Sequence, residues 1–192
     1  MENDTSLPIV YWPSSSAHRL SKFRWSLSYE DVSNVSGSQV DLDTVGLGPG
    51  TLYAYPNQSV LVADTASPQL PQNRPYFSGA VGLTYGNTTG VSPEPQQSFF
   101  ENIAKSLDRP IFGMALKHNQ RGSLDFGYVN ENRYNGTLNY QDVNTTNGLW
   151  EVWITHASTP SFLRNSSLES EWATYIDSGS SVITLPAVAA AR

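Results

Sequence analysis

The chain contains no cysteine, which excludes a disulfide framework, a thiolate metal site and a cysteine nucleophile together. Positive charge is also scarce: 11 Lys and Arg stand against 17 Asp and Glu, a formal net charge of −6. The cations are scattered rather than grouped, so no nucleic-acid partner is expected. No apolar run approaches the roughly 20 residues that cross a bilayer. The first residues, "MENDTSLP", lack the basic start, apolar stretch and small-residue cleavage site of a signal peptide.

With only 15% charged residues, the chain is instead rich in Ser, Thr, Asn, Gly, Pro, Tyr and Trp, a composition that favours strands and turns over long charged helices. A β-rich protein is expected. Its 192 residues suit one generous domain, or one and a half smaller ones. Seven Asn-x-Ser/Thr sequons, at Asn3, Asn34, Asn57, Asn87, Asn135, Asn144 and Asn165, point to the secretory route and to N-glycosylation. A secreted chain without a leader is expected to be part of a longer gene product.

Short apolar runs alternate with turn clusters along the sequence. Residues Phe23–Tyr29 and Gly37–Val45 alternate like the two arms of a long hairpin with a polar tip, "EDVSNVS". Further strands are expected at Val60–Ala63, Ala80–Leu83, Ile111–Leu116, Ser123–Val129 and Leu149–Ile154. One helix interrupts them. In "QQSFFENIAKSLDRP", Ser98 and Glu101 have capping-box spacing, Phe99, Phe100, Ile103, Ala104 and Leu107 recur at helical period, and Pro110 stops the helix. The aromatics of that stripe suit a core face, with a ligand pocket as the other reading. Residues Thr155–Trp172 lack a clear period and are expected as a surface excursion or a linker between lobes.

Several apparent motifs fail on context. Asp125-Phe-Gly127 has no nucleotide loop or His-Arg-Asp loop beside it, and "GLGPG" at Gly46–Gly50 lacks the Lys-Ser/Thr of a phosphate loop. His18, His118 and His156 stand far apart, outside any metalloprotease or serine-hydrolase element. The stretch "YIDSGSSVITLP" (Tyr175–Pro186) is different. It sets Asp177 on a short Gly/Ser loop between apolar runs, where desolvation and a second carboxylate would each raise a carboxyl pKa. Two such acids can share one proton, one acting as base toward water and the other as acid toward a carbonyl oxygen; aspartic proteases are the standard instance of that arrangement. Gly179 permits close backbone approach, and Ser178 and Ser180 supply short hydroxyls for the loop and the carboxylate.

On these residues the chain resembles the pepsin-like aspartic proteases, especially their fungal secreted branch. "YIDSGSSVITLP" resembles the family's second active-site loop throughout, so Asp177 resembles the catalytic aspartate of the second lobe, with Ser178, Gly179 and Ser180 supporting it. "VYWPSSSAHRLSKFRWSLSYEDVSNVSG" (Val10–Gly37) resembles the segment entering the flap, the hairpin that closes over bound peptide, with Tyr29, Asp31 and Ser33 on matching positions. "GAVGLTYG" (Gly79–Gly86) resembles the strand that follows. "SFFENIAKSLDRPIF" resembles the helix beside the first specificity pocket, which implies that Phe99 or Phe100, with Leu107, lines an apolar pocket. "GSLDFGYVNENRYNGTLNYQDV" (Gly122–Val143) resembles the element leading to the second lobe.

The implied fold is a mostly β, pepsin-like lobe within an incomplete bilobal architecture, with one or two short helices. Residues 1–150 would form an incomplete first lobe with its flap hairpin at 23–45. Residues 151–192 would form the inter-lobe segment and the start of the second lobe. The implied activity is aspartic endopeptidase action on peptides with bulky apolar residues, with no metal or cofactor. A monomer, sensitivity of the complete protein to pepstatin-like inhibitors, and a secreted or vacuolar location accompany it. Two departures shape that expectation. The partner Asp-Thr-Gly loop is absent: Asp43-Thr-Val-Gly and Asp64-Thr-Ala-Ser are the nearest strings, and neither fits. At the flap tip Glu30 and Val32 replace glycines, and valine tolerates positive φ poorly. The fragment is therefore expected to be inactive alone. The alternatives are a non-catalytic pepsin-like binding or inhibitory protein and, last, an unrelated secreted β-sandwich that binds glycans through Trp and Tyr.

Overall fold

A computed structural model describes residues 11–29, 33–49, 52–67, 79–86, 90–159, 162–180 and 183–184, with the backbone alone for 156–159 and 162–170. The chain divides into two compact units, Met1–Asn135 and Gly136–Arg192. Strand dominates helix in both composition and outcome.

In the first unit, β1 (His18–Arg19), β4 (Gln39–Leu47) and β5 (Tyr53–Val62) form a three-stranded antiparallel sheet in the order β1-β4-β5. A four-stranded sheet has the order β6-β3-β2-β7, from β2 (Arg24–Ser28), β3 (Asn34–Gly37), β6 (Thr65–Ala66) and β7 (Val91–Ser92). β8 (Phe112–Ala115) and β9 (Ser123–Phe126) pair with each other. The second unit holds β10 (Glu151–Thr159) and β11 (Phe162–Tyr175), paired antiparallel.

Period-2 patterning explains the buried face of β2, whereas β4 is buried on both faces at Val40 and Asp41. In "RWSLS" Trp25 and Leu27 face inward, and in β4 Val40 is fully buried. Trp25, Val40 and Val91 form one core cluster, with Leu20, Phe23, Leu27, Val35 and Leu61 packed around it. Burying a side chain such as Val40 contributes roughly 1.5–3 kcal/mol. Trp25 keeps its indole N–H satisfied by donating to the Val62 carbonyl at 3.2 Å.

The helix α1 (Phe99–Ala104) starts where its capping box lies: the Glu101 N–H donates to Ser98 Oγ at 3.2 Å and the Ser98 N–H donates to Glu101 Oε2 at 3.0 Å. It ends at Lys105, before Leu107 and Pro110. Phe99, Phe100 and Ile103 are buried, and the two phenylalanines build a second core with Phe112 and Phe126; the Phe100 and Phe112 rings meet edge-on at 4.7 Å. Tyr53 of β5 joins the same cluster, its ring centroid 5.0 Å from that of Phe126. Buried Asn102 donates to Gln58 Oε1 at 2.9 Å, which fastens α1 to β5.

Four expectations change. The arm opposite Arg24–Ser28 is Asn34–Gly37, not Gly37–Val45; the chain bends at Ser38, and Gln39–Leu47 pairs with β1 and β5 instead. Alternation marked Gly37–Val45 as a strand but held no information on its partner. The Ser38 bend is fixed from outside the segment, by Asp64 Oδ2 accepting from the Ser38 N–H at 2.7 Å and from its hydroxyl at 2.6 Å. Next, Val60–Ala63 is only the end of a ten-residue strand. Its "PNQ" stretch is carried by a register shift opposite Asp43–Val45, where proline is tolerated. Ala80–Leu83, by contrast, joins no strand. Finally, Thr155–Trp172, expected to lack regular structure, forms most of the β10–β11 hairpin, and register shifts at Ile154/His156 and Ala157/Thr159 erase the alternation that would have marked it.

Candidate active site

The sequence places its chemistry on Asp177, and in the second unit β11 delivers that residue. Pairing continues past the strand end, with the Ile176 N–H donating to the Trp150 carbonyl at 2.9 Å. The root of the loop is braced by Glu151, which is buried and lies opposite Tyr175 in the ladder. Its carboxylate accepts from Asn144 Nδ2 at 2.6 Å and from Asn147 Nδ2 at 2.8 Å. Those donors, Asn144 first, and the Tyr175 hydroxyl hold the Glu151 carboxyl below its ordinary range.

Asp177 then turns the chain. Its Oδ1 accepts the Gly179 N–H at 2.7 Å, an Asx turn that aims the carboxylate back over its own loop. A side chain at position 179 would place its Cβ 3.0 Å from that oxygen, a tight contact with the end of the exposed Asp177 side chain. Asp177, Ser178, Gly179 and Ser180 are all solvent-exposed in this unit. A carboxylate presented this way can polarise water or accept a proton. Concerted acid and base action asks for a second carboxyl group beside it.

The other expected residues lie in the first unit or outside the described residues. Tyr29 is exposed at the tip of the β2–β3 hairpin, where its N–H donates to the Ser33 carbonyl at 2.9 Å, and Ser33 is buried. Asp31, Glu30 and Val32 lie outside the described residues, as do Asn3 and Asn87. Phe99 and Phe100 are 2% and 7% exposed and direct their rings at Phe126 and Phe112. Leu107 is half-buried and lies against Gly127, where an added Cβ would meet it at 3.6 Å. Of the remaining sequons, Asn34, Asn57 and Asn135 are exposed, Asn144 is half-buried, and the Asn165 side chain lies outside the described residues.

Asp43, in the nearest string to a missing first loop, is buried and fully engaged. It accepts from the Tyr11 hydroxyl at 2.8 Å, the Ser14 N–H at 3.0 Å, the Ser14 hydroxyl and the Thr44 N–H at 2.7 Å. These bonds, the Ser14 hydroxyl foremost, hold its carboxyl far below the ordinary range, while burial and the Asp43 charge push the Tyr11 phenol up. Neighbouring Asp41, also buried, pairs with Arg19 and accepts from Gln39 Nε2 at 2.8 Å. Asp43 is thus an anchor for the Tyr11–Ser16 segment rather than a reacting group. Glu151 and its donor Asn147 are not among the residues expected from sequence, and Asn144 is expected there only as a sequon. The signal is present in "NTTNGLWE", a pair of short amide donors flanking a turn and an acid at a strand start.

Comparison with known proteins bears directly on the loop. The family model for eukaryotic aspartyl protease matches residues 4–192. The chain belongs to the eukaryotic aspartyl protease family. Aspergillopepsin-1 of Aspergillus clavatus is 39% identical over 148 residues, covering 77% of this chain and 36% of that protein. Aspergillopepsin-1 of Aspergillus oryzae is 39% identical over 140 residues, 73% of this chain and 35% of its own length. Aspartic protease PEP1 of Arthroderma benhamiae is 36% identical over 141 residues, 73% of this chain and 34% of its own length. The chain therefore spans about a third of the length of these relatives. As a member of an aspartyl protease family it carries one Asp-Ser-Gly loop, at Asp177, in its 192 residues.

Proposed function

We propose that this chain is part of an acid-active aspartic endopeptidase in which Asp177 supplies one of two catalytic carboxylates. The observation that carries the reading is the Asp177 loop itself: a carboxylate held at the end of β11 by the Gly179 N–H at 2.7 Å, in a member of the aspartyl protease family. A water held between Asp177 and a second aspartate would attack the scissile carbonyl, with the shared proton moving to the carbonyl oxygen. Ser178 and Ser180 would fix the loop, and Tyr29, Asp31 and Ser33 would belong to the hairpin that covers the peptide. Phe99, Phe100 and Leu107 would shape one wall of an apolar pocket, which accounts for a preference for bulky apolar residues.

In this reading residues 1–150 carry most of the first lobe and 151–192 open the second. The passage between them lies at the start of the 151–192 segment. The protein acts as a monomer, outside the cell or in a vacuole, and the complete protein is open to pepstatin-like inhibitors. Among the described residues no helix is long and apolar enough to cross a membrane.

A second reading, a non-catalytic binding relative, is favoured by Glu30 and Val32 at the flap tip. The transcript preceding Met1 separates the two. An in-frame Asp-Thr/Ser-Gly loop supports the endopeptidase, and the same segment with that aspartate replaced overturns it in favour of the binding protein.

A further inference from the structure

One surface cleft of the second unit stands beside a sequon. Gln141, Asp142, Val143, Asn144, Trp153, Thr155 and Glu171 line it, and its volume is about 460 Å³, within the roughly 300–1,000 Å³ of small-ligand clefts. The topology explains the lining. Trp153 and Thr155 project from one face of β10, Trp153 lies opposite Ala173, and Glu171 lies two residues along the same face of β11. The segment 141–144 is drawn alongside by the bridge between Asn144 and Glu151. The result is an indole that is 46% exposed, framed by two carboxylates and two amides.

The side chain of Asn144 is pre-set within that frame. Its Oδ1 accepts from the N–H of Thr146 at 3.2 Å and from its hydroxyl at 2.8 Å, so the third residue of the sequon holds the first. Its Nδ2 donates to Glu151 Oε1 at 2.6 Å. N-glycosylation replaces one of the two Nδ2 hydrogens and leaves one to donate.

We propose that Asn144 carries an N-linked glycan whose first N-acetylglucosamine lies in this cleft, its C–H face on Trp153 and its polar groups among Gln141, Asp142 and Glu171. The occupant is an amphipathic sugar, matched to a floor of one aromatic ring and a rim of hydrogen-bonding groups. Covalent attachment at the cleft wall makes the encounter intramolecular, so weak stacking suffices to keep the site filled. The glycan thereby covers an exposed indole next to the strand that leads to Asp177. The inference rests on passage through the secretory route and is independent of the proteolytic reading.

The test is secretion of the chain from a glycosylating eukaryotic host, site mapping by glycopeptide mass spectrometry, and a native time course with an endoglycosidase that cuts between the two core sugars. The expected result is an occupied Asn144 trimmed at least about tenfold more slowly than Asn135, a protection of roughly 1.4 kcal/mol. Trp153→Ala should bring the two sites to one rate. In the unsubstituted chain, nuclear Overhauser contacts between the Trp153 indole and the first sugar give the same answer without any variant. A bare Asn144 beside an occupied Asn135, equal trimming in the unsubstituted chain, or absent indole–sugar contacts would each overturn the proposal. A chain bare at every sequon would overturn it together with the secretory route and leave the Asp177 reading standing.

Discussion

Gly37→Ala tests the chain path that separates the two sheets of the first unit. A Cβ at position 37 would lie 2.0 Å from the Val62 carbonyl oxygen and 2.7 Å from Trp25 Nε1, against ordinary contact at 3.4 Å or more. The first obstacle is backbone, so the strands must separate. That movement removes the Trp25–Val62 hydrogen bond, costing about 1 kcal/mol, and overpacks the cluster around Trp25, costing about 1–3 kcal/mol. A total of roughly 2–4 kcal/mol follows, which at a mid-range urea slope of about 2 kcal/mol per molar lowers the unfolding midpoint by about 1–2 M. The assay is urea unfolding followed by tryptophan fluorescence, with Gly113→Ala alongside. At Gly113 no atom lies within 4 Å of the added Cβ, and the change should be neutral or stabilising by up to about 1 kcal/mol. Had Gly37–Val45 been the arm opposite Phe23–Tyr29, Gly37 would sit across from Tyr29 at the tip, where a methyl group is harmless. A Gly37→Ala midpoint equal to that of Gly113→Ala would rule out the chain path described.

Other perturbations probe the cap and the acid response. Ser98→Ala removes the helix N-cap and a hydroxyl donated to the Thr84 carbonyl, and should cost about 1–2 kcal/mol in the same urea titration; no loss would mean that α1 is held by packing alone. Asp43 and Glu151 have carboxyls held below their ordinary range. A lowered folded-state pKa gives stability that is present above the unfolded value, near 4, and lost as pH falls toward the folded one. Urea midpoints should therefore fall from about pH 4 downward. Asp43→Asn should lower the midpoint at pH 5 and flatten the acid slope, whereas an unchanged slope would mean that Asp43 contributes nothing to it.

Much of the local structure was legible because local chemistry decides it. Ser98 and Glu101 cap α1 where their spacing places them, and Phe99, Phe100 and Ile103 are buried as their period requires. What alternation cannot encode is the partner of a strand. Gln39–Leu47 reads equally well as a hairpin arm or as the centre of another sheet, and the choice is made by Asp64 at the Ser38 bend and by Gly37 beneath Trp25. The β10–β11 hairpin was hidden for a related reason: its register shifts remove the period-2 signal. At the Asp177 loop the local turn was legible, because an aspartate two residues before a backbone N–H readily forms an Asx turn. Glu151 was not, since its role depends on Asn144 and Asn147 folding back across a turn.

Whether Asp177 is one half of a two-carboxylate site is decided by hydrolysis, at acid pH, of a peptide with apolar residues at the cleaved bond. The 192-residue chain is compared with the same residues inside a longer polypeptide that supplies an Asp-Thr/Ser-Gly loop. No turnover is expected of the chain alone, and statine-sensitive turnover is expected of the longer protein, reduced by at least about 10²–10⁴-fold in Asp177→Asn. Statine-sensitive cleavage by the chain alone, or full activity of the longer protein after Asp177→Asn, would overturn the assignment of Asp177.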